Sequence, residues 1–139
     1  MVRRIIPDIV HDQRLLKMPA TATVREAAQK MARRDVRSVL VTKGSKLEGI
    51  FTGTDLIARV VAPGLDPDAT PLGQVMTRNP RTVSPAETAI EALRCMDSCH
   101  CRHLPVVEGG KLIGILSRRD FLGYEIDEIE RQERIAEEL

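Results

Sequence analysis

Two stretches of the chain place apolar residues at helical spacing. In Val24–Arg34 the positions Ala27, Ala28 and Met31 share one face, and in Ala89–Ser98 Ala92, Leu93 and Met96 do the same. Each stretch is preceded by a threonine, Thr23 or Thr88, with a glutamate (Glu26 or Glu91) three residues on. In that pattern a hydroxyl and a carboxylate satisfy the free N–H groups of a first helical turn. β-rich stretches follow at Ser38–Thr42 and Leu104–Val107, then the glycine-containing turns Lys43–Lys46 and Glu108–Lys111, then second strands at Leu47–Thr52 and Leu112–Ser117. A short helix is predicted to begin near Thr54 and again near Arg119. Short strands near Leu15–Met18 and Arg81–Val83 precede the first helices. The pattern predicts an α/β (α+β) fold in which a β-α-β-β-α unit occurs twice in tandem.

The units are copies of one another. Thr23–Asp55 aligns without a gap on Thr88–Asp120 at an offset of 65 residues, and 12 of the 33 positions are identical. Chance at ordinary composition would give roughly two. The repeat divides the chain into a first domain over 1–62, a linker over 63–72 containing Pro63, Gly64, Pro67 and Pro71, a second domain over 73–126 and a helical tail over 127–139. In the tail region Leu122, Ile126, Ile129 and Ala136 fall at helical spacing, fit to line one side of a final helix that closes the module or a dimer seam. A unit of about 65 residues buries too little surface to be secure alone.

Composition narrows the function. Lys plus Arg (21) nearly cancels Asp plus Glu (20), so no bulk field draws the chain to nucleic acid or anionic lipid. With no Trp, one Tyr and two Phe, the aromatic platforms of a single-strand binder are missing, and no nucleic-acid partner is expected. The apolar run Met1–Val10 is broken by Pro7 and Asp8, so neither a signal peptide nor a membrane span is expected. Three cysteines without an export signal predict reduced thiols in a cytoplasmic protein.

The sharpest local feature is Gly49-Ile-Phe-Thr52-Gly-Thr54-Asp55, repeated as Gly114-Ile-Leu-Ser117-Arg-Arg119-Asp120. A strand ends, a hydroxyl follows, and an aspartate stands three residues later at the start of a helix. Free N–H groups and a partial positive charge at such a junction can hold a phosphate, while the carboxylate accepts from vicinal ribose hydroxyls. The same residues also make a plain helix cap. Their duplication, each copy after a glycine and before a helix, favours the binding reading.

Together with Arg102-His-Leu-Pro-Val-Val107, these motifs make the chain resemble the CBS domain family, over about residues 5–124 and more closely in the second copy. The resemblance implies a paired module (a Bateman module) with two pseudo-symmetric clefts between the copies. These would take AMP, ADP, ATP or another adenosyl ligand as a regulatory ligand, with no cofactor required. It implies one site joining Thr52, Thr54 and Asp55 to Asn79, Arg81, Thr82 and Val83 and to Arg102, His103 and Pro105. It implies another joining Ser117, Arg119 and Asp120 to Arg14, Leu16, Lys17 and to Val36, Arg37 and Ser38. Gly53 and Thr54 stand where the family often has charged residues, and Val39-Leu40 replaces Leu-Pro, so the Ser117/Asp120 site is favoured. A homodimer is implied, as is an unknown protein partner acting in trans.

Other chemistry finds less support. Cys95, Cys99, Cys101 and His103 offer soft metal ligands. The run changes from helix to strand halfway, however, and a structural metal needs a closed shell of ligands, so no metal is expected. No nucleophile stands beside a base and there is no Walker-type loop, so no catalytic residue and no enzyme activity is expected. The alternative to a ligand sensor is a structural dimerisation or adaptor protein without ligand.

Overall fold

The computed structural model describes residues 2–11 and 13–138. It resolves into two compact units: Arg14–Pro80 with Gly110–Leu112, and the N-terminal segment up to Gln13 with Arg81–Gly109 and the chain from Ile113 onward.

In the unit holding the first repeat, the Thr23 hydroxyl accepts from the Glu26 N–H at 3.2 Å and starts helix α1 (Val24–Arg34). The helix ends at Asp35, whose left-handed backbone (φ 51°) turns the chain out. Strands β1 (Lys17–Met18), β2 (Ser38–Lys43), β3 (Lys46–Thr52) and β4 (Thr77–Arg78) form a sheet in that order, β1 parallel to β2 and the other pairs antiparallel. Val39, Val41 and Phe51 from the sheet and Val24, Ala27 and Met31 from α1 form the core, joined by Val60, Leu72 and Met76. After β3, helix α2 (Gly53–Asp55) runs on without a break into the wider turns of Leu56–Val61, and α3 (Leu72–Val75) leads into β4. The Pro- and Gly-containing stretch between is fastened to the start of α1: the Thr70 and Pro67 carbonyls accept from the Val24 and Arg25 N–H groups at 2.9 and 3.0 Å.

The other unit is assembled around the second repeat. The Thr88 hydroxyl accepts from the Glu91 N–H at 3.3 Å and starts α4 (Ala89–Cys99). A hairpin of β5 (His103–Glu108) and β6 (Lys111–Ser117) follows, all but Gly110–Leu112 in this unit, turning at Gly109 and Gly110, both at positive φ. Leu93, Met96, Leu104, Val106, Leu116 and Phe121 form its core. The N-terminal segment belongs to it as well: Ile5 and Val10 are buried there, and the Ile5 N–H donates to Glu87 O at 2.9 Å. A single 3-10 turn, Arg118–Asp120, precedes the last helix, α5 (Gly123–Glu138), which lies against α4 with Arg94 donating to Gln132.

Four details differ from the sequence expectation. Of the strand predicted at Arg81–Val83, only Val83 pairs, in a parallel bridge to Val106. The strand forms earlier, at β4, and is stopped by Asn79 at φ 47° and by Pro80, which has no N–H to offer a ladder. The final helix starts at Gly123, four residues before the expected tail, because its first turn is organised by Glu125 and not by an apolar stripe. Along it Ile129 is buried and Ile126 half-buried, while Leu122 and Ala136 are exposed. Finally, Cys99 and Cys101 are joined by a disulfide, where reduced thiols were expected, and Cys95 alone is free. The left-handed residue between them, His100 (φ 55°), folds the chain back so that their Cα atoms stand 5.2 Å apart, within disulfide range. The two sulfurs are spent on each other and are not available as metal ligands.

Candidate functional site

Both hydroxyl–aspartate turns fold as reciprocal caps, and each is seated against its own repeat's first strand. In the first copy, Ser38 on β2 lies opposite Thr52 on β3, and the Gly53 N–H donates to Arg37 O at 3.0 Å. The Thr52 N–H and hydroxyl donate to Asp55 Oδ2 at 3.0 and 3.1 Å, and the Asp55 N–H donates back to Thr52 Oγ1 at 3.3 Å. Asp55 is only 8% exposed, and Arg59, one helical turn on, pairs with its other oxygen, Oδ1, at 3.5 Å. Both oxygens of this carboxylate are therefore engaged. Thr54 faces solvent.

The second copy repeats the backbone and changes the company. The Arg118 N–H donates to Arg102 O at 2.9 Å, matching Gly53 and Arg37. The Ser117 N–H donates to Asp120 Oδ2 at 2.7 Å. Among the described residues no hydrogen bond or ion pair engages Asp120 Oδ1, so this half-buried carboxylate is anchored by one oxygen and open at the other. Arg119 is exposed beside it, whereas Arg118 is taken up by Asp97 at 2.8 Å. His103, at the start of β5, is half-buried next to this turn. Burial pushes its pKa below the ordinary histidine value and the charges of Arg119 and Arg102 add to that, against an opposing pull from Asp120. Burial and the two neighbouring cations thus both disfavour a charged ring.

The remaining candidates divide by accessibility. Leu16 and Val83 are core residues with backbones in the ladders, Leu16 O accepting from Leu40 N–H at 2.9 Å and Val83 N–H donating to Pro105 O at 3.0 Å. Pro105 is buried too, and Val36 packs against the first core. Arg14, Lys17, Arg37, Arg102 and Thr82 are exposed. Asn79 ends β4 with its N–H on Glu48 O at 3.4 Å, and Arg81 reaches Ser98 on α4 at 3.5 Å. In their units, Arg37 and Ser38 thus stand with Thr52 and Asp55, and Arg102 and His103 with Ser117 and Asp120.

Three further residues at these turns lie outside the duplicated motif. Arg59 had a visible signal, since Asp55 and Arg59 are at the i,i+4 spacing of a helical ion pair. Arg3 and Glu125 had none, because they meet across 122 residues of sequence. Among the described residues no helix is long and apolar enough to cross a membrane.

Comparison with known proteins agrees with the duplicated motif. The CBS domain family model matches twice, over residues 3–62 and 72–127. The CBS domain-containing protein CBSCBSPB3 of Arabidopsis thaliana is 44% identical over 124 residues, covering 88% of this chain, while the chain spans 22% of that relative's length. A solved CBS domain protein from Pyrobaculum aerophilum, complexed with AMP, superposes with a TM-score of 0.77 at 28% identity, over 87% of this chain and 95% of that one. The hexameric CBS-CP12 protein from bloom-forming cyanobacteria superposes with a TM-score of 0.78 at 26% identity, over 99% of this chain and 82% of that one. With two matched copies, the duplicated strand–hydroxyl–aspartate turn and a shared fold, the chain belongs to the CBS domain family.

Proposed function

We propose that this regulatory CBS-domain pair binds an adenine nucleotide, AMP foremost, and passes the signal to a protein partner, with the Ser117–Asp120 turn as the principal site. The observation that carries the reading is the state of Asp120. One oxygen fixes the turn through the Ser117 N–H, and Oδ1 stays open to accept from a ribose hydroxyl, a charge-assisted bond stronger than a neutral one. Arg119 lies one residue before it and is free to face a phosphate, with Arg102 and His103 alongside. The Thr52–Asp55 turn is the second, weaker site, because its carboxylate is already shared between the cap and Arg59. The AMP complex of the Pyrobaculum aerophilum relative supports the choice of ligand. The nucleotide is a regulatory ligand in this reading, and no residue is assigned a catalytic role.

Thermal denaturation with AMP, ADP and ATP tests it, since a ligand that binds only the folded state raises the melting temperature by mass action. The expected result is a concentration-dependent rise with adenine nucleotides and much smaller effects from GMP and CMP. No shift at millimolar concentration with any adenine nucleotide or S-adenosyl compound would overturn the reading in favour of a ligand-free adaptor.

A further inference from the structure

The two copies stabilise their turns in different ways, and the difference singles out two residues outside the motif. In the first copy α2 continues directly into Leu56–Val61, so Arg59 lies one turn above Asp55 and grips its carboxylate. In the second copy the residue equivalent to Arg59 is Tyr124. The helix is also interrupted: Phe121 is extended (φ −88°, ψ 148°) between the turn Arg118–Asp120 and α5. Such a break leaves the turn without the continuous backbone ladder that holds its counterpart.

Arg3 and Glu125 bridge this break. The Arg3 Nη2 donates to the carbonyl of Asp120 at 3.1 Å on one side of it and to Glu125 Oε1 at 2.6 Å on the other. The Arg3 Nε donates to Glu125 Oε2 at 3.1 Å, making the pair bidentate. Glu125 Oε1 also accepts from the Leu122 N–H at 2.8 Å, reaching back over the first turn of α5 as the glutamate of a capping box does. Arg3 is itself tied down, its carbonyl accepting from the Ala89 N–H at the start of α4 at 2.9 Å. Glu125 is 2% exposed, so the pair is held in one arrangement.

We infer that Arg3 and Glu125 are positioning residues for the nucleotide turn of the second copy: they brace the Asp120 backbone by its carbonyl, so that the carboxylate is aimed while Oδ1 stays free. In the first copy the brace is Arg59, acting through the carboxylate itself at the expense of an acceptor. The inference rests on the nucleotide reading above for its ligand, while the brace is a property of the turn alone.

The test uses the full chain with Arg3→Ala, Arg3→Lys and Glu125→Gln. Calorimetry with AMP is expected to show the Asp120-dependent site weakened about tenfold by Arg3→Ala, a change near 1.4 kcal/mol. Arg3→Lys should recover only part of this, since one ammonium cannot reproduce the planar fork. The Asp55-dependent site should not change. In an Asp120→Ala background, Arg3→Ala should lower the melting temperature further without weakening AMP binding again. A lower melting temperature with unchanged AMP affinity in the folded Arg3→Ala protein would overturn the inference. Amide hydrogen exchange separates the brace from the ligand: Arg3→Ala should speed exchange at Ser117, whose N–H holds Asp120, and leave Thr52 unchanged. If the wild-type protein bound no adenine nucleotide, the nucleotide reading would fall and exchange at Ser117 would decide the brace alone. Unchanged exchange there would refute it.

Discussion

Asp55 and Asp120 occupy the same position in the repeat yet keep different company, and their substitution should have opposite emphasis. Asp55→Ala removes a buried acceptor from the Thr52 N–H and hydroxyl and leaves both unsatisfied, which typically costs about 1–3 kcal/mol. Asp120→Ala loses one backbone partner in a half-buried cap and should cost about 1 kcal/mol. Urea denaturation of the two variants should rank Asp55→Ala as the less stable, and the reverse order would contradict the assignment of a structural and a binding carboxylate. Glu125 supplies a pH-dependent component. Burial alone would push its carboxyl up, but the bonds from Arg3 and the Leu122 N–H and the Arg3 charge outweigh it and hold the pKa below the ordinary glutamate value. A depressed folded-state pKa stabilises above the unfolded value, and the contribution is lost as pH falls through the folded one. Stability should therefore hold above the ordinary glutamate range and drop on acidification below it. Glu125→Gln should flatten that segment of the stability–pH profile, and an unaltered profile would refute the role of the pair. The motif aspartates were legible in the sequence because cap, hydroxyl and carboxylate lie within four residues. Which carboxylate was open was not, since that depends on whether a residue one helical turn on takes the second oxygen, as Arg59 does for Asp55.

Helices α1 and α4 show how far local chemistry carries. Each begins at a threonine whose hydroxyl accepts from the N–H of the glutamate three residues on, the hydroxyl half of the expected box, and the expected first residues, Val24 and Ala89, are the observed ones. The hairpin strands were equally legible, from β-rich runs on either side of glycine turns. Strand β4 was not, because its two residues pair with Gly49 and Ile50 by tertiary proximity alone. That pairing explains Gly49. A Cβ there would stand 2.7 Å from the backbone oxygen of Thr77 and 2.6 Å from Met76 Sδ, and the former cannot swing aside. Gly49→Ala should displace β4 and destabilise by about 1–3 kcal/mol, the range of core overpacking. Gly53→Ala, with nothing within 4 Å of the added Cβ, should be neutral or slightly stabilising. Thermal denaturation of the two distinguishes them, and equal effects would contradict the close approach of β4. The start of the C-terminal helix carries no such local signal. Its N-cap residue, Leu122, has no hydroxyl to announce a start, and Glu125 completes only the carboxylate half of the box.

Each unit of the molecule has a separate core, one around Phe51 and Val41, the other around Leu93, Leu104 and Leu116. Small cores of this size leave little surplus stability, and exposed apolar side chains remain. Ile57 and Val61, four residues apart, are each 66% exposed. Sedimentation at tens of micromolar should show a homodimer or larger assembly, and only the 15.5 kDa species would contradict it. The central claim is that the second-copy turn reads an adenine nucleotide through Asp120. It is tested most directly by calorimetric titration of AMP into the wild-type protein and Asp120→Ala. The expected result is saturable binding whose affinity at one site falls by at least about tenfold in the variant, a loss near 1.4 kcal/mol, while the fold persists. Unchanged AMP binding in an Asp120→Ala protein of lowered stability would show that the turn is a helix cap and nothing more.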